Sequence, residues 1–211
     1  MANELQTLIP PILETATQIM DRHLSVGIEH FVSGNKIENL NVNIGANAAP
    51  PILTPNIEDR NFNRQYYNLF VCGELDIEHI QPFMVDIDRA LNKRTDRAIT
   101  AKFARLEDEG VKKEIYALPS IFSNENRHSG YADADQTVGF GYVKKLKVSR
   151  NQGKIQISPH VIYQLPQQRL NEALFELDLY GSSSCNEFNQ PHWTIKQVDL
   201  IAKLIGMGFP L

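Results

Sequence analysis

The chain contains little cysteine and tryptophan, and neither sign of charge dominates it. Among its 211 residues are 2 Cys and 1 Trp, while 21 Lys and Arg are balanced by 25 Asp and Glu. Two cysteines as far apart as Cys72 and Cys185 fit neither a disulfide framework nor a four-thiolate zinc site. We therefore predict a reducing compartment, no cofactor and no bound metal ion.

Long hydrophobic runs are also missing. No window approaches the roughly 18 consecutive apolar residues that a membrane-spanning helix requires, and the N-terminus lacks the basic start and apolar core of a signal peptide. The formal net charge of −4 gives the whole molecule no attraction to nucleic acid or to an anionic membrane. We expect a cytoplasmic protein, or a virion protein if the chain is viral, with no membrane partner.

Common catalytic signatures are absent from the sequence as well. The chain has no Gly-x-Ser-x-Gly nucleophile elbow, no phosphate-loop lysine and no Rossmann glycine triplet. These absences favour a protein that is not an enzyme.

Amide side chains are abundant instead. The sequence contains 17 Asn and 12 Gln, residue types that suit loops and polar contact surfaces. A chain of this length buries roughly 70% of its unfolded surface without help from disulfides or metals. Because no internal repeat or linker-like change of composition divides it, we predict one domain over residues 1–211.

The first third of the sequence predicts a helix, a strand and a long arm. Apolar residues recur every three or four positions from Pro10 onward, which is the period of an amphipathic helix. Residues 39–44 alternate between Asn and apolar side chains, as in a half-buried strand. Residues 45–64 contain three prolines and four asparagines without a period, and so predict a loop or extended arm. Loops this long often dock on a partner.

The rest of the sequence predicts a sheet with two further helices. The predicted strands are 66–73, 98–106, 111–118, 138–148, 154–165 and 174–180, although the stretch QQRLNEALFEL could also begin as a helical turn. The predicted helices are 82–94 and a final one that starts with a Thr194–Gln197 capping box and ends at Gly206. This order predicts an α+β fold, with an antiparallel or mixed sheet and N-terminal, central and C-terminal helices packed on one face.

The string ELDIEHIQP, residues 74–82, places an acidic residue next to a histidine, with a proline three residues later. Glu78 and His79 of this string, with Asn92 downstream, resemble the first half of HNH-type nuclease sites. The resemblance implies that Glu78 binds a divalent metal and that His79 takes a proton from the attacking water. The third ligand position of the family falls on residues 100–103, which hold no usual metal ligand. A divalent-metal-dependent nuclease is therefore the alternative function.

The clearest predicted hairpin is strongly basic. Its five cations cluster beside Tyr142, and they are Lys144, Lys145, Lys147, Arg150 and Lys154. A basic two-stranded ribbon can lie along the phosphates of nucleic acid. We expect this patch to bind nucleic acid or an acidic partner.

Taken as a set, these features favour a non-enzymatic structural or assembly protein that forms a homo-oligomer and binds other structural proteins. An N-terminal helix, a long arm and a sheet with charged hairpins resemble the architecture of phage tail-terminator and head-to-tail connector subunits. The resemblance implies rings whose arms reach neighbouring subunits. Because it rests on element order, it assigns no site residue.

Overall fold

A computed structural model describes residues 60–92, 94–182 and 184–211. The predicted N-terminal helix, the predicted strand at 39–44 and residues 45–59 of the predicted arm lie outside the described residues. The single-domain organisation therefore stays a prediction. The described part is a mixed α+β structure, with a curled six-stranded sheet and four α-helices.

The main sheet is mixed, which is one of the two arrangements that the sequence predicts. Its strands are β1 (Tyr67–Cys72), β2 (Phe83–Asp86), β3 (Pro119–Asn124), β4 (Thr137–Ser149), β5 (Lys154–Pro166) and β8 (His192–Lys196). They lie in the order β2-β5-β4-β3-β1-β8, and every neighbouring pair is antiparallel except β1 and β3. A small separate hairpin is formed by β6 (Gly181–Ser182) and β7 (Cys185–Asn186).

Four short α-helices connect or follow these strands. They are α1 (Arg97–Phe103), α2 (Glu109–Ala117), α3 (Gln167–Asn171) and α4 (Leu200–Gly206). None of the helices in the described residues combines the length and the apolar character needed to cross a bilayer.

The sheet curls until its two edges meet. The segment that follows edge strand β2 pairs with edge strand β8, because Ala90 forms a parallel bridge to Trp193. The Leu91 N–H donates to the Trp193 carbonyl oxygen at 2.8 Å. Sheet twist allows this approach, so the six strands almost close into a barrel.

Both faces of the sheet are covered by apolar side chains. Alternation along β1 sends Tyr67 and Leu69 into one buried cluster, the Tyr67 cluster, and Phe70 into another, the Trp193 cluster. In the Trp193 cluster, Phe70 stacks on both Phe122 and Trp193 with ring centroids 5.3 Å apart. Side chains of α1 and α2 belong to the Trp193 cluster, and those of α3 and α4 to the Tyr67 cluster. The predicted packing of all helices on one face is not confirmed.

Three predicted elements in the middle of the chain are wrong. The predicted helix at 82–94 is strand β2 followed by a 3₁₀ turn. The two predicted strands at 98–106 and 111–118 are helices α1 and α2. Both helices begin after an aspartate, and the Asp108 carboxylate accepts hydrogen bonds from the N–H groups of Gly110 and Val111 at 2.7 and 3.3 Å. The Asp108 side chain therefore caps helix α2.

The C-terminal capping box is also wrong. Thr194 lies inside strand β8, and α4 starts later, with Asp199 accepting a hydrogen bond from the Ala202 N–H at 3.0 Å. Gly206 is the last helical residue, as predicted. The predicted strand at 174–180 is a series of turns, whereas the predicted strand at 66–73 and the long hairpin are confirmed as β1 and β4–β5.

Candidate functional site

The β4–β5 hairpin changes register twice around Tyr142. Starting from the pair Ser149–Lys154 at the tip, the register shifts by one residue at Lys144, which is an extra residue in β4. The original register returns beyond Ile162, which is an extra residue in β5. Between these bulges Tyr142 lies opposite His160. Bulges bend a strand and redirect its side chains, so this stretch differs from the regular ribbon on either side.

A close backbone approach maintains this irregular stretch. A Cβ atom on Gly141 would lie 1.8 Å from the carbonyl oxygen of His160. Only glycine fits there, because any other residue would overlap the backbone of β5.

Two cationic side chains, one imidazole and one phenol ring meet at the bulges; we call Arg60, Lys144, His160 and Tyr142 the cationic cluster. The Arg60 guanidinium carbon is 3.4 Å from the centre of the Tyr142 ring, and its Nη2 donates to the Tyr116 carbonyl oxygen at 2.8 Å. The rings of Tyr142 and His160 are 4.8 Å apart. These contacts orient the guanidinium over the ring.

The charges of the cluster oppose one another. Partial burial of His160 lowers the pKa of its imidazole, and the positive charges of Lys144 and Arg60 lower it further. No described carboxylate forms an ion pair with Arg60 or Lys144. An anion placed between these groups would therefore be attracted by the charges of Arg60 and Lys144 and could accept a hydrogen bond from the His160 ring.

Only part of the predicted basic patch is free to bind a partner. The Arg150 guanidinium donates to both carboxylate oxygens of Glu107 at 2.8 Å, and Lys154 lies 3.3 Å from the Asp86 carboxylate. The hydrogen bond from Arg150 lowers the pKa of Glu107. The remaining three lysines, Lys144, Lys145 and Lys147, are exposed and form no ion pair within residues 60–92, 94–182 and 184–211.

An acidic cavity of about 670 Å³ lies at the other end of the hairpin. Thr137 of β4 and Gln164 of β5 contribute to its wall. Five carboxylates line it: Glu74, Asp76, Glu78, Glu125 and Asp135. Arg127 is the one cation among its described lining residues, and it forms ion pairs with Asp135 at 2.7 Å and with Asp133 at 3.2 Å. No group of three His, Cys, Asp or Glu side chains is placed to hold a metal ion in the described part of the chain.

The residues of the nuclease resemblance occupy separate places. Glu78 lines the acidic cavity, while His79 and Asn92 are not among its lining residues. The His79 side chain is 73% exposed and its Nδ1 is 3.4 Å from the Asp76 carboxylate. The Asn92 side chain accepts a hydrogen bond from the Arg94 N–H at 3.1 Å. The structure thus gives His79 and Asn92 local partners, and the nuclease alternative stays a prediction.

The structure also contains a buried ionic group that the sequence did not predict. Lys196 Nζ donates to one oxygen of Glu187 at 2.7 Å, and His192 Nε2 lies 3.3 Å from the other oxygen. All three side chains are fully buried. Burial alone would raise the pKa of Glu187, but the hydrogen bond from His192 and the charge of Lys196 lower it below the ordinary value. Because no periodic pattern joins these residues, the sequence contains no signal for the group.

No protein-family model, curated protein or solved structure matches the chain. The two surfaces of opposite charge, the cationic cluster and the buried ionic group are therefore interpreted from their own geometry.

Proposed function

We propose that this protein is a non-enzymatic assembly subunit that associates with copies of itself. The lysine surface of one copy, formed by Lys145 and Lys147, binds the acidic cavity of the next copy. The observation that carries the proposal is that surfaces of opposite charge lie at opposite ends of one hairpin.

The distance along the hairpin prevents these surfaces from neutralising each other within one chain. Eight to ten residues of β4 separate Thr137 from the two lysines, which is about 26 to 33 Å at about 3.3 Å per residue. Electrostatic attraction is screened over about 8 Å at physiological salt. The charges are therefore available to a second copy.

The two lysines present their charge in one direction. Lys145 and Lys147 are two residues apart on a strand, and their partners on β5, Ser158 and Gln156, are uncharged. When one surface of a copy binds a different surface of the next copy, the association is head to tail. Repeated contacts of this kind produce a closed ring or an open filament. The phage-like and virion predictions are not needed for this proposal and stay predictions.

The test reverses the charges separately and then together. In the K145E/K147E variant and in the E74K/E78K variant, we expect self-association at low salt to weaken at least about tenfold, because each creates like-charge contacts. Combining all four substitutions should restore association, since the opposite charges face each other again. Light scattering reports the molar mass against the 23.9 kDa of one chain.

A matched control separates the lysine surface from net charge. Lys113 and Lys203 are exposed and form no ion pair with a described residue, so K113E/K203E changes the charge equally and should not alter the mass. A wild-type mass of one chain at all concentrations, or a four-residue variant that stays dissociated, would contradict the proposal.

Nucleic-acid binding by the same lysines is a second candidate, favoured by one observation. No Asp or Glu occurs from Thr137 through Pro166, so the hairpin presents lysines without an acidic neighbour on its own strands. Such a ribbon can follow a phosphate backbone.

For this candidate we expect K145Q/K147Q to weaken DNA binding at low salt and to have little effect at high salt. Each lost phosphate contact should reduce the slope of log K against log salt by about 0.9, because fewer counterions are released. Fluorescence anisotropy of a labelled duplex measures both quantities, with K113Q as control. DNA affinity that is unchanged in the double variant at low salt would exclude the lysines as a DNA contact.

A further inference from the structure

We propose that the cationic cluster of Arg60, Tyr142, Lys144 and His160 binds a phosphate dianion, either inorganic phosphate or the phosphomonoester of a small ligand. The cluster shares no residue with the Lys145 and Lys147 surface of the assembly proposal. The two can therefore fail or succeed separately.

The cluster is assembled from three segments of the chain. Arg60 precedes β1, Lys144 is the extra residue of the β4 bulge, and His160 lies on β5. Two compensating bulges and the close backbone contact at Gly141 hold Lys144 and His160 on one stretch of ribbon, and Arg60 reaches this stretch by stacking on Tyr142. A regular hairpin would place His160 opposite Val143, so the bulges bring it to Tyr142.

The available donors suit a phosphate. Arg60 uses Nη2 on the Tyr116 carbonyl oxygen and its guanidinium face on Tyr142, which leaves N–H donors of its planar fork for an oxyanion. Lys144 is exposed and adds a mobile ammonium group. His160 is partly buried beside them and adds a ring N–H.

The charge count favours a dianion over a carboxylate or a phosphodiester. Arg60 and Lys144 both carry a positive charge, and no acidic residue lies on either strand of the hairpin. A group of charge −2 neutralises both, and its oxygens can accept hydrogen bonds from several directions. A group of charge −1 would leave one cation unpaired.

Occupation of the site should be linked to pH through His160. Among the described residues, the groups that face its ring are Tyr142 and Lys144 on β4 and Arg60 before β1. In the empty site, burial and the two positive charges lower the imidazole pKa. A bound dianion opposes that effect and favours the protonated ring, while phosphate itself takes up a proton over the same pH range. The affinity of the wild type relative to H160N should therefore rise as the pH falls from 8 to 6.

Calorimetric titration of the full-length chain with inorganic phosphate tests the site. We expect the dissociation constant to rise about tenfold in R60Q and in K144Q, since each loses a charge-assisted hydrogen bond. In the neighbouring variant K145Q it should change less than about twofold. In H160N the phosphate affinity should only decrease as the pH falls, because phosphate loses its second charge and no imidazole gains a proton to compensate.

Adenosine monophosphate and adenosine identify the source of the phosphate. Monophosphate that binds more tightly than inorganic phosphate, with no binding of adenosine, would indicate a phosphorylated small ligand. Equal affinity for adenosine monophosphate and inorganic phosphate would indicate that free phosphate is the ligand. Because Lys144 is exposed, K144Q should fold normally. Phosphate affinity that is unchanged in K144Q, or no saturable binding by the wild type, would overturn the proposal.

Discussion

Replacement of Glu187 by alanine should lower the free energy of unfolding by about 3 to 5 kcal/mol. The variant leaves the Lys196 ammonium fully buried without its carboxylate partner, and removal of one member of a buried ion pair has a penalty of this size. His192 loses the same carboxylate. The Tyr180 ring, 4.2 Å from Lys196 Nζ, and the Arg94 carbonyl oxygen remain, but neither carries the missing negative charge.

Urea unfolding at pH 7 measures the loss, with E176A as the matched control. Glu176 is exposed and forms no ion pair with the described side chains, so its replacement should change the free energy of unfolding by less than about 0.5 kcal/mol. Equal stability of E187A and E176A would show that the buried group does not stabilise the fold.

The pH dependence provides an independent check. Because the pKa of Glu187 is lower in the folded chain than its ordinary 4.5, the folded state favours the ionised carboxylate. Its contribution is therefore complete above pH 4.5 and disappears as the pH falls through the lower, folded-state value. The difference in unfolding free energy between wild type and E187A should stay constant from pH 7 to about pH 5 and shrink in stronger acid.

Replacement of Gly141 by alanine should destabilise the fold by about 3 kcal/mol, at the upper end of the range for overpacking. The new methyl group would lie 1.8 Å from the carbonyl oxygen of His160, so one strand of the hairpin has to move. Because Tyr142 and His160 flank the contact, the variant should also weaken phosphate binding by the cationic cluster.

Thermal and urea unfolding of G141A measure the effect, and G206A is its control. Nothing lies within 4 Å of a Cβ on Gly206, which is at the end of α4, so alanine there should be neutral or stabilise the helix by up to about 1 kcal/mol. A G141A variant as stable as wild type would mean that β5 retreats from β4 at little energetic expense.

The sequence alone predicted those elements whose signal is local. The hairpin β4–β5 has period-two alternation and a turn with Gly153 in a left-handed conformation at φ 62°, and β1 is a short apolar run. The mixed sheet of an α+β fold follows from such elements. The five cations of the hairpin could likewise be predicted to cluster, because they lie close together in the sequence of one hairpin.

Local patterns failed where distant contacts decide the structure. Residues 82–94 have helical spacing, but Phe83–Asp86 pairs with the tip of β5, and the following Leu91 bonds to Trp193 more than a hundred residues away. Such pairing outweighs a weak local preference. The stretches that became α1 and α2 alternate like strands, yet aspartates cap them and the Trp193 cluster buries their apolar sides.

The candidate sites depended most strongly on tertiary structure. A regular register places His160 opposite Val143, and only the extra residue Lys144 moves it to Tyr142, where Arg60 arrives from outside the hairpin. Arg150 and Lys154 count as binding residues in the sequence, but folding brings Glu107 and Asp86 to them. Nothing local in the sequence distinguishes Glu187, His192 and Lys196 from surface residues, and only the fold buries them together. The sequence determines the number of charged residues. Whether each of them is free to bind a partner depends on ion pairs and burial, which only the tertiary structure determines.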